Sequence, residues 1–528
     1  MPISVSIKPH LYKDSVALMC IAQALLARDG ISRATLVMAT PANKAILDSA
    51  GLLTPAAGDA RPGDVVIAVD GASAEDADSA VAEALSLLEG GPVAAASADA
   101  PVLMRSIAMA RAHDGGSSAL AQISVPGAYA AAEALKALRQ GLHVFLFSDN
   151  VPLEQERAIK QVAQGKGLLV MGPDCGTAII GGVPLGFANV VGKGAIGLIG
   201  ASGSGLQEVS CQIHALGQGI RHAIGTGGRD VYAEIGGTTM LQALDLLAAD
   251  EATRVIGIVS KPPAPAVARR VIERLGGIGK PAVVLFLGAS TPAQPLPPNV
   301  LWVDTLHEAA KACVAQLEGR RLERTAASAA DARLAEAEAQ RLAPGQRLVH
   351  GLYSGGTFCT EAQLIWNGMG LSVHSNAPAD KHAAPVGSQG RHSAIDLGDD
   401  EFTVGRPHPM IDPAARVDRF LHDARDPATA AIVLDVVLGY GGHLDPAGAL
   451  APAIAQAKAE SERDGRHLSV LAFVCGTEGD PQRLSVQQSR LREAGALVLP
   501  NSSAAARVAG EIAVRANAPA TVSLESAK

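Results

Sequence analysis

Two short stretches of small and hydroxylated residues carry the clearest chemistry in this chain. Ser202-Gly203-Ser204-Gly205 follows an apolar run ending at Gly200 and opens a helical pattern; Ser354-Gly355-Gly356-Thr357 follows Leu348–Gly351 and does the same. Glycines let the backbone turn sharply with its N–H groups bare, and a helix starting there presents unpaired donors and the positive end of its dipole. Ser204 and Gln207 have the spacing of a capping box, which predicts a helix start at Ser204. A strand, a glycine-rich turn and a helix N-terminus form an anion site in outline, and its recurrence indicates two related halves.

Other residues are candidates by type and place. Arg229, in Gly227-Gly228-Arg229-Asp230, and Lys261, before Pro262-Pro263, follow apolar runs, so each is expected where the loops of an open α/β sheet bind ligands. His443, in Gly441-Gly442-His443-Leu444-Asp445, offers an acid or base on such a loop. Cys359 lies in the first turn after Gly356-Thr357, where the dipole would lower a thiol pKa, but a buried structural thiol is the favoured reading. Cys175 is assigned no chemistry. His374, His382, His392 and His408 lack metal-ligand spacing, so no metal is expected.

The elements that position these residues alternate strand and helix, which implies parallel sheets. In the first unit the spacing predicts helices over 16–27, 74–88, 129–140 and 152–165, and strands over 34–39, 65–70, 121–125, 144–148 and 168–171. The second unit has strands over 195–200, 221–224, 255–259, 282–287 and 300–303. The third repeats that order at 348–350, 393–397, 431–437, 469–475 and 497–499, an internal duplication by pattern. The organisation is α/β: residues 1–191, 192–319, a helical linker 320–345, 346–516 and a tail 517–528 read as disordered. A chain of 528 residues fits about three such domains.

Composition excludes several classes. The net charge of −8 carries no basic block, against a nucleic-acid surface or attachment to an anionic membrane. Every apolar run is interrupted before transmembrane length, and no signal pattern opens the chain. Six scattered cysteines without a C-x-x-C pair exclude a disulfide framework and fit a reducing cytoplasm.

Longer segments carry a family resemblance. Ser124-Val-Pro-Gly-Ala-Tyr, Val144-Phe-Leu-Phe-Ser-Asp-Asn-Val-Pro and Met171-Gly-Pro-Asp-Cys-Gly resemble the first domain of the α chain of succinyl-CoA synthetase. Gly194–Ser210, Gly225–Asp230 and Lys280–Leu287 are similar to its second domain. Leu348–Glu361, Ala394-Ile-Asp-Leu-Gly398 and Leu438-Gly-Tyr-Gly-Gly-His-Leu-Asp445 resemble the C-terminal domain of the β chain of that enzyme. The fused layout resembles the FdrA family, linked to oxamate carbamoyltransferase in allantoin breakdown. The resemblance implies a Rossmann-like CoA-binding-type domain followed by two flavodoxin-like ligase domains. It also implies paired helix N-termini around one phosphoryl group, with Ser202, Gly203, Ser204, Gly205, Ser354, Gly355, Gly356 and Thr357 as phosphate-binding residues.

The departures point away from ATP-driven ligation. The family's phosphohistidine loop corresponds to Gly288-Ala-Ser-Thr-Pro-Ala-Gln-Pro-Leu-Pro-Pro, which has no histidine. The glutamate that orients that histidine corresponds to the region of Lys261, the ATP-grasp domain is missing, and a Gly-rich CoA loop is not evident between Ser4 and Ala22. With these departures, the FdrA resemblance implies a carbamoyltransferase subunit that converts oxalurate and phosphate to oxamate and carbamoyl phosphate. Lys261, Arg229 and His443 are its candidate catalytic residues, and other subunits and an oligomer are expected. The alternative is an acyl-CoA synthetase using CoA with a separate nucleotide-binding subunit.

Overall fold

The computed structural model describes residues 2–11, 13, 15–26, 28–40, 43–44, 47–48, 51–89, 104–323, 328–380, 390–403 and 407–517. His382 and the expected tail from 518 onward lie outside them. The chain divides into two compact units, Met1–Met109 with Asp400–Pro407, and Ala110–Asp399 with His408–Lys528.

In the first unit, β1 (Ile3–Lys8), β2 (Ile31–Met38) and β3 (Val65–Gly71) form a sheet in the order β1-β3-β2. Both pairings are antiparallel, which corrects the parallel arrangement expected for this part. Every residue of β3 is buried: Val65, Ile67 and Val69 pack on α1 (Ser15–Leu26) and α2 (Ala74–Glu89), while Val66 and Ala68 pack on Leu47, Leu52 and Ala57. A strand covered on both faces reads as a continuous apolar run, which is the sequence signature of a parallel strand as well.

The second unit opens with the parallel sheet β4 (Leu120–Ile123), β5 (His143–Leu146) and β6 (Val170–Met171), flanked by α3 (Gly127–Arg139) and α4 (Leu153–Gly165). The hairpin β7 (Thr177–Ile180) and β8 (Val183–Gly186) then joins the next sheet, although it precedes the boundary expected at residue 191.

That sheet contains β9 (Lys193–Gly200), β10 (Ile220–Gly225), β11 (Val255–Ser260), β12 (Ala282–Phe286) and β13 (Val300–Trp302), in the order 13-12-11-9-10-7-8. Its helices are α5 (Gly203–Ala215), α6 (Thr238–Ala249), α7 (Pro265–Gly276) and α8 (Leu306–Leu317). After the short helix α9 (Ala329–Ala339), the last sheet holds β14 (Leu348–Tyr353), β15 (Val373–His374), β16 (His392–Asp396), β17 (Thr429–Val437), β18 (Ser469–Cys475) and β19 (Leu497–Leu499). Its order is 15-16-14-17-18-19, with α10 (Gly356–Gly368), α11 (Ala414–Arg425), α12 (Pro446–Arg463), α13 (Leu484–Glu493) and α14 (Ser502–Asn517).

Aligning β9 with β14 makes the two orders coincide as 2-1-3-4-5, the flavodoxin-like winding, with a ligand crevice expected at the carboxyl ends of its strands. One continuous apolar core runs through both halves, from Ile196, Leu198 and Val209 to Val349, Phe358 and Phe473. The linker expected to be helical from 320 is helical only over Ala329–Ala339 among the described residues. Glu338 anchors that helix to the last sheet by accepting from Ser469 Oγ at 2.7 Å and pairing with His467 Nε2 at 2.8 Å.

Candidate functional site

The two glycine-rich turns meet. Ser202 Oγ and Thr357 Oγ1 are in hydrogen-bond contact, and a Cβ added at Gly355 would fall 2.8 Å from Ser204 Cβ. The N-termini of α5 and α10 therefore lie side by side, one from each half of the duplication.

Ser202, not Ser204, is the N-cap of α5: its Oγ accepts the Gly205 N–H at 3.0 Å. Gln207 does not close a capping box, because its amide donates to Asn189 Oδ1 at 3.0 Å. The N-cap lies two residues before the predicted one because Gly203 and Ser204 are themselves helical. In α10 the first intrahelical acceptor is the Gly355 carbonyl, which receives Phe358 and Cys359. Among the described residues, the N–H groups of Gly203, Ser204, Gly356 and Thr357 have no protein acceptor. Four unpaired donors at two adjoining positive dipole ends suit a phosphate dianion.

The second turn differs from the first in one respect that the sequence did not reveal. Ser354 is buried, and Asp435 on β17 accepts both its N–H (2.9 Å) and its Oγ–H (2.7 Å). Asp435 is in turn paired with buried Arg416 of α11 at 2.6 Å. Ser354 therefore anchors its turn and is not available to a phosphate. A lone aspartate inside the apolar run TAAIVLDVV was the available signal, since a buried carboxylate requires a partner.

A second carboxylate reaches the turn. Asp396, at the end of β16, accepts the Gly398 N–H on Oδ1 at 3.0 Å, and a Cβ at Gly356 would collide with its Oδ2. Burial pushes the Asp396 carboxyl up to about 6; the Gly398 N–H opposes this, Asp399 and Asp435 reinforce it, and Lys261 opposes it. Lys261 belongs to the first half of the duplication and Asp396 to the second, so its charge acts across the junction. Its side chain is exposed, and its Nζ lies 3.3 Å from where a Cβ on Gly228 would stand.

Arg229 does not join the site. Its Nε pairs with buried Glu156 of α4 at 2.9 Å and its guanidinium donates to the Val151 carbonyl at 2.6 Å. Glu156 also pairs with buried Lys160 at 2.9 Å, and Lys160 with buried Asp230 at 2.8 Å. Asp230 then accepts the N–H groups of Thr239 and Met240 at the start of α6. The 227–230 loop is a clamp between α4 and α6. His443 is also occupied locally: its Nδ1 accepts the Asp445 N–H at 3.0 Å, and burial holds the ring below the ordinary imidazole pKa.

Cys359 is fully buried, and burial raises its thiol pKa, overriding the helix dipole. Cys175 is likewise buried and pushed up to about 12. His374 and His392 lie on adjacent strands, and His408 packs on Phe187 with ring centroids 6.4 Å apart. Among the described residues no group of three or more His, Cys, Asp or Glu is placed to hold a metal. No helix among them is long and apolar enough to cross a membrane.

Residues 352–512 match a family described as CoA-ligase and residues 192–288 one described as CoA binding domain. Along 506 residues the chain is 42% identical to the Escherichia coli (strain K12) "Uncharacterized protein YahF", covering 95% of this chain and 97% of that one. The chain belongs to the YahF family. This YahF-family chain is also 29% identical, over 149 residues, to the "ADP-forming sulfoacetate-CoA ligase subunit SauD" of Bilophila wadsworthia, covering 27% of this chain and 50% of that protein. Among solved structures, the apo dinucleotide-forming acetyl-coenzyme A synthetase 1 of Ca. Korarchaeum cryptofilum is 17% identical with a TM-score of 0.29, covering 75% of this chain and 83% of that chain. The ATP citrate lyase of Methanothrix soehngenii with citrate and coenzyme A is 12% identical with a TM-score of 0.33, covering 78% and 84%.

The two domain matches place the YahF-family chain in the succinyl-CoA synthetase-like superfamily, as an enzyme or enzyme subunit of CoA-ligase type. Residues 1–101 match a third family, described as "AllF, heavy metal-associated domain". That segment contains one cysteine, Cys20, and one histidine, His10, and so no C-x-x-C pair. The CoA match begins at 192, so the expectation of a CoA-binding role for residues 1–191 gains nothing from it.

Proposed function

We propose that this chain is the acyl-transferring subunit of an acyl-CoA synthetase of the succinyl-CoA synthetase type. It exchanges phosphate and CoA on the carbonyl of a small carboxylate, and a separate nucleotide-binding subunit supplies the activated phosphate. The observation that carries this reading is the contact between Ser202 and Thr357, which joins two helix N-termini with unpaired donors. Such donors stabilise the phosphate as it arrives at or leaves the acyl carbonyl, a term typically worth several kcal/mol. The CoA-ligase and CoA binding domain matches support the same chemistry, as does the likeness to a subunit of a sulfoacetate-CoA ligase. CoA supplies the thiol that accepts the acyl group. Gly203, Ser204, Gly356 and Thr357 hold the phosphate, Lys261 balances its charge, and the expected setting is the cytoplasm.

A second reading is favoured by one observation: the loop from Gly288 to Pro298 contains no histidine to carry phosphate from a nucleotide. A carbamoyl transfer between oxamate and inorganic phosphate needs none, because carbamoyl phosphate is itself the activated species. In that reading, resting on the FdrA resemblance, the same site converts oxalurate and phosphate to oxamate and carbamoyl phosphate.

One experiment separates the two. The chain is purified with whatever subunits accompany it and supplied with ATP, CoA and a panel of small carboxylates including sulfoacetate, with oxalurate plus phosphate in parallel. Thioester formation alone supports the ligase. Phosphate-dependent oxamate release alone overturns it in favour of carbamoyl transfer, and neither product overturns both.

A further inference from the structure

Asp396, itself half-buried, differs from the buried Asp435 beside it. Asp435 is consumed by Ser354 and Arg416, whereas Asp396 is held through Oδ1 alone, by Gly398, and its Oδ2 has no hydrogen-bond partner among the described residues. That free oxygen lies against Gly356, the first residue of α10, which has no side chain to exclude it. The carboxyl is thus directed at the unpaired donors that suit a phosphate.

Resting on the acyl-CoA synthetase reading, we infer that Asp396 is the proton-transfer residue of this site, shuttling one proton at Oδ2 between phosphate and the thiol sulfur. In the direction of thioester phosphorolysis, an oxygen of HPO4 2− bonds to the acyl carbonyl carbon and the carbon–sulfur bond breaks. The phosphate proton passes to Asp396 Oδ2, and the same carboxyl returns a proton to the departing sulfur. Acyl-CoA and hydrogen phosphate become acyl phosphate and free CoA thiol, with Asp396 unchanged. Synthesis of the thioester runs the same steps backwards.

The surroundings suit a group that must both take and give a proton. Burial, Asp399 and Asp435 disfavour the carboxylate, while the Gly398 N–H and Lys261 favour it, which leaves the group at about 6, close to a working pH. Two further groups face this cluster. Buried Cys359 of α10 is raised partly by Asp396, and His408, whose Nε2 packs on Gly398, is pushed down to about 4 by burial and is neutral in this range.

The test compares wild type with Asp396→Asn, which keeps the shape and an acceptor for Gly398. CoA release from acetyl-CoA and succinyl-CoA is followed with inorganic phosphate or arsenate, and phosphate binding is measured by calorimetry across pH 5 to 8. Both helix turns belong to this chain, so the half-reaction needs no nucleotide. The variant should lose about 100-fold or more in turnover and the limb of the pH profile near 6. It should bind phosphate at pH 7.5 at least as tightly as wild type, because a like charge has gone. Turnover within about 3-fold of wild type, or weaker phosphate binding, overturns the role of Asp396 alone. A folded wild type that binds phosphate but releases no CoA overturns the ligase reading, and this inference with it.

Discussion

Glu208 and Glu361 occupy the same place in the two paired helices, and each caps the closing helix of the opposite half. Each is the sixth residue of its helix, counted from Gly203 and from Gly356. Glu208 Oε1 accepts the N–H of Ser502, the first residue of α14, at 3.2 Å; Glu361 Oε1 accepts the N–H of Leu306, the first residue of α8, at 2.9 Å. A carboxylate at a helix N-terminus is stabilised by the dipole, so the duplication is locked by reciprocal caps beneath the meeting turns.

Both glutamates are buried, and burial raises each carboxyl, Glu208 to about 7. An acid with a raised folded-state pKa holds a proton in the folded state that it has released in the unfolded one. Folding stability should therefore fall as pH rises from the ordinary glutamate value towards 7, by at most about 1.4 kcal/mol per pH unit for each such group. Urea unfolding of Glu208→Gln across pH 4.5 to 8 should show a flatter dependence than wild type; an identical slope would remove Glu208 from this linkage.

The Asp435–Arg416 pair holds the second turn through Ser354. Asp435→Ala leaves a buried guanidinium without its carboxylate, and removal of one partner from such a pair costs about 3–5 kcal/mol. Denaturant unfolding should record a loss of that size, with Asp435→Asn falling between alanine and wild type.

Close approach sets the identity of Gly355. A Cβ there would stand 2.8 Å from Ser204 Cβ and 2.9 Å from Ser204 Oγ, so Gly355→Ala must push the two turns apart. Turnover should fall by about 10-fold or more, since misplacing a preorganised site by a fraction of an ångström is costly. Among the described residues a Cβ at Gly203 would meet the Thr177 side chain alone, Oγ1 at 3.2 Å and Cβ at 3.9 Å, so Gly203→Glu should leave the fold intact and abolish phosphate binding through its charge. Steady-state rates check the first variant, and calorimetry with inorganic phosphate the second.

Arg229 and Lys261 should respond oppositely to alanine. Arg229→Ala strips a partner from buried Glu156 and should lower stability by about 1–3 kcal/mol, with turnover little changed. Lys261→Ala touches an exposed side chain and should shift stability by no more than about 0.5 kcal/mol, yet reduce turnover about 10-fold or more. Thermal melts and steady-state rates on the same preparations test the contrast.

The sequence by itself determined the duplication and the places of the two glycine-rich turns, because strand alternation and glycine-rich turns are local signals of short period; the flavodoxin-like winding was implied by the family resemblance, and the strand orders of the two sheets agree with it. Tertiary structure decided which of those residues remain free. The pairing direction of β1, β2 and β3 was illegible because a strand buried on both faces looks alike in either sense. Arg229 and Ser354 were misplaced because their partners, Glu156 and Asp435, are 73 and 81 positions away, and no pattern within one loop indicates that a charge is already neutralised. Asp396 was visible only as the acid of an Ala-Ile-Asp-Leu-Gly motif. Its chemistry arises from burial against Gly356 and from the charge of Lys261 in the other half, and both are properties of the assembled fold.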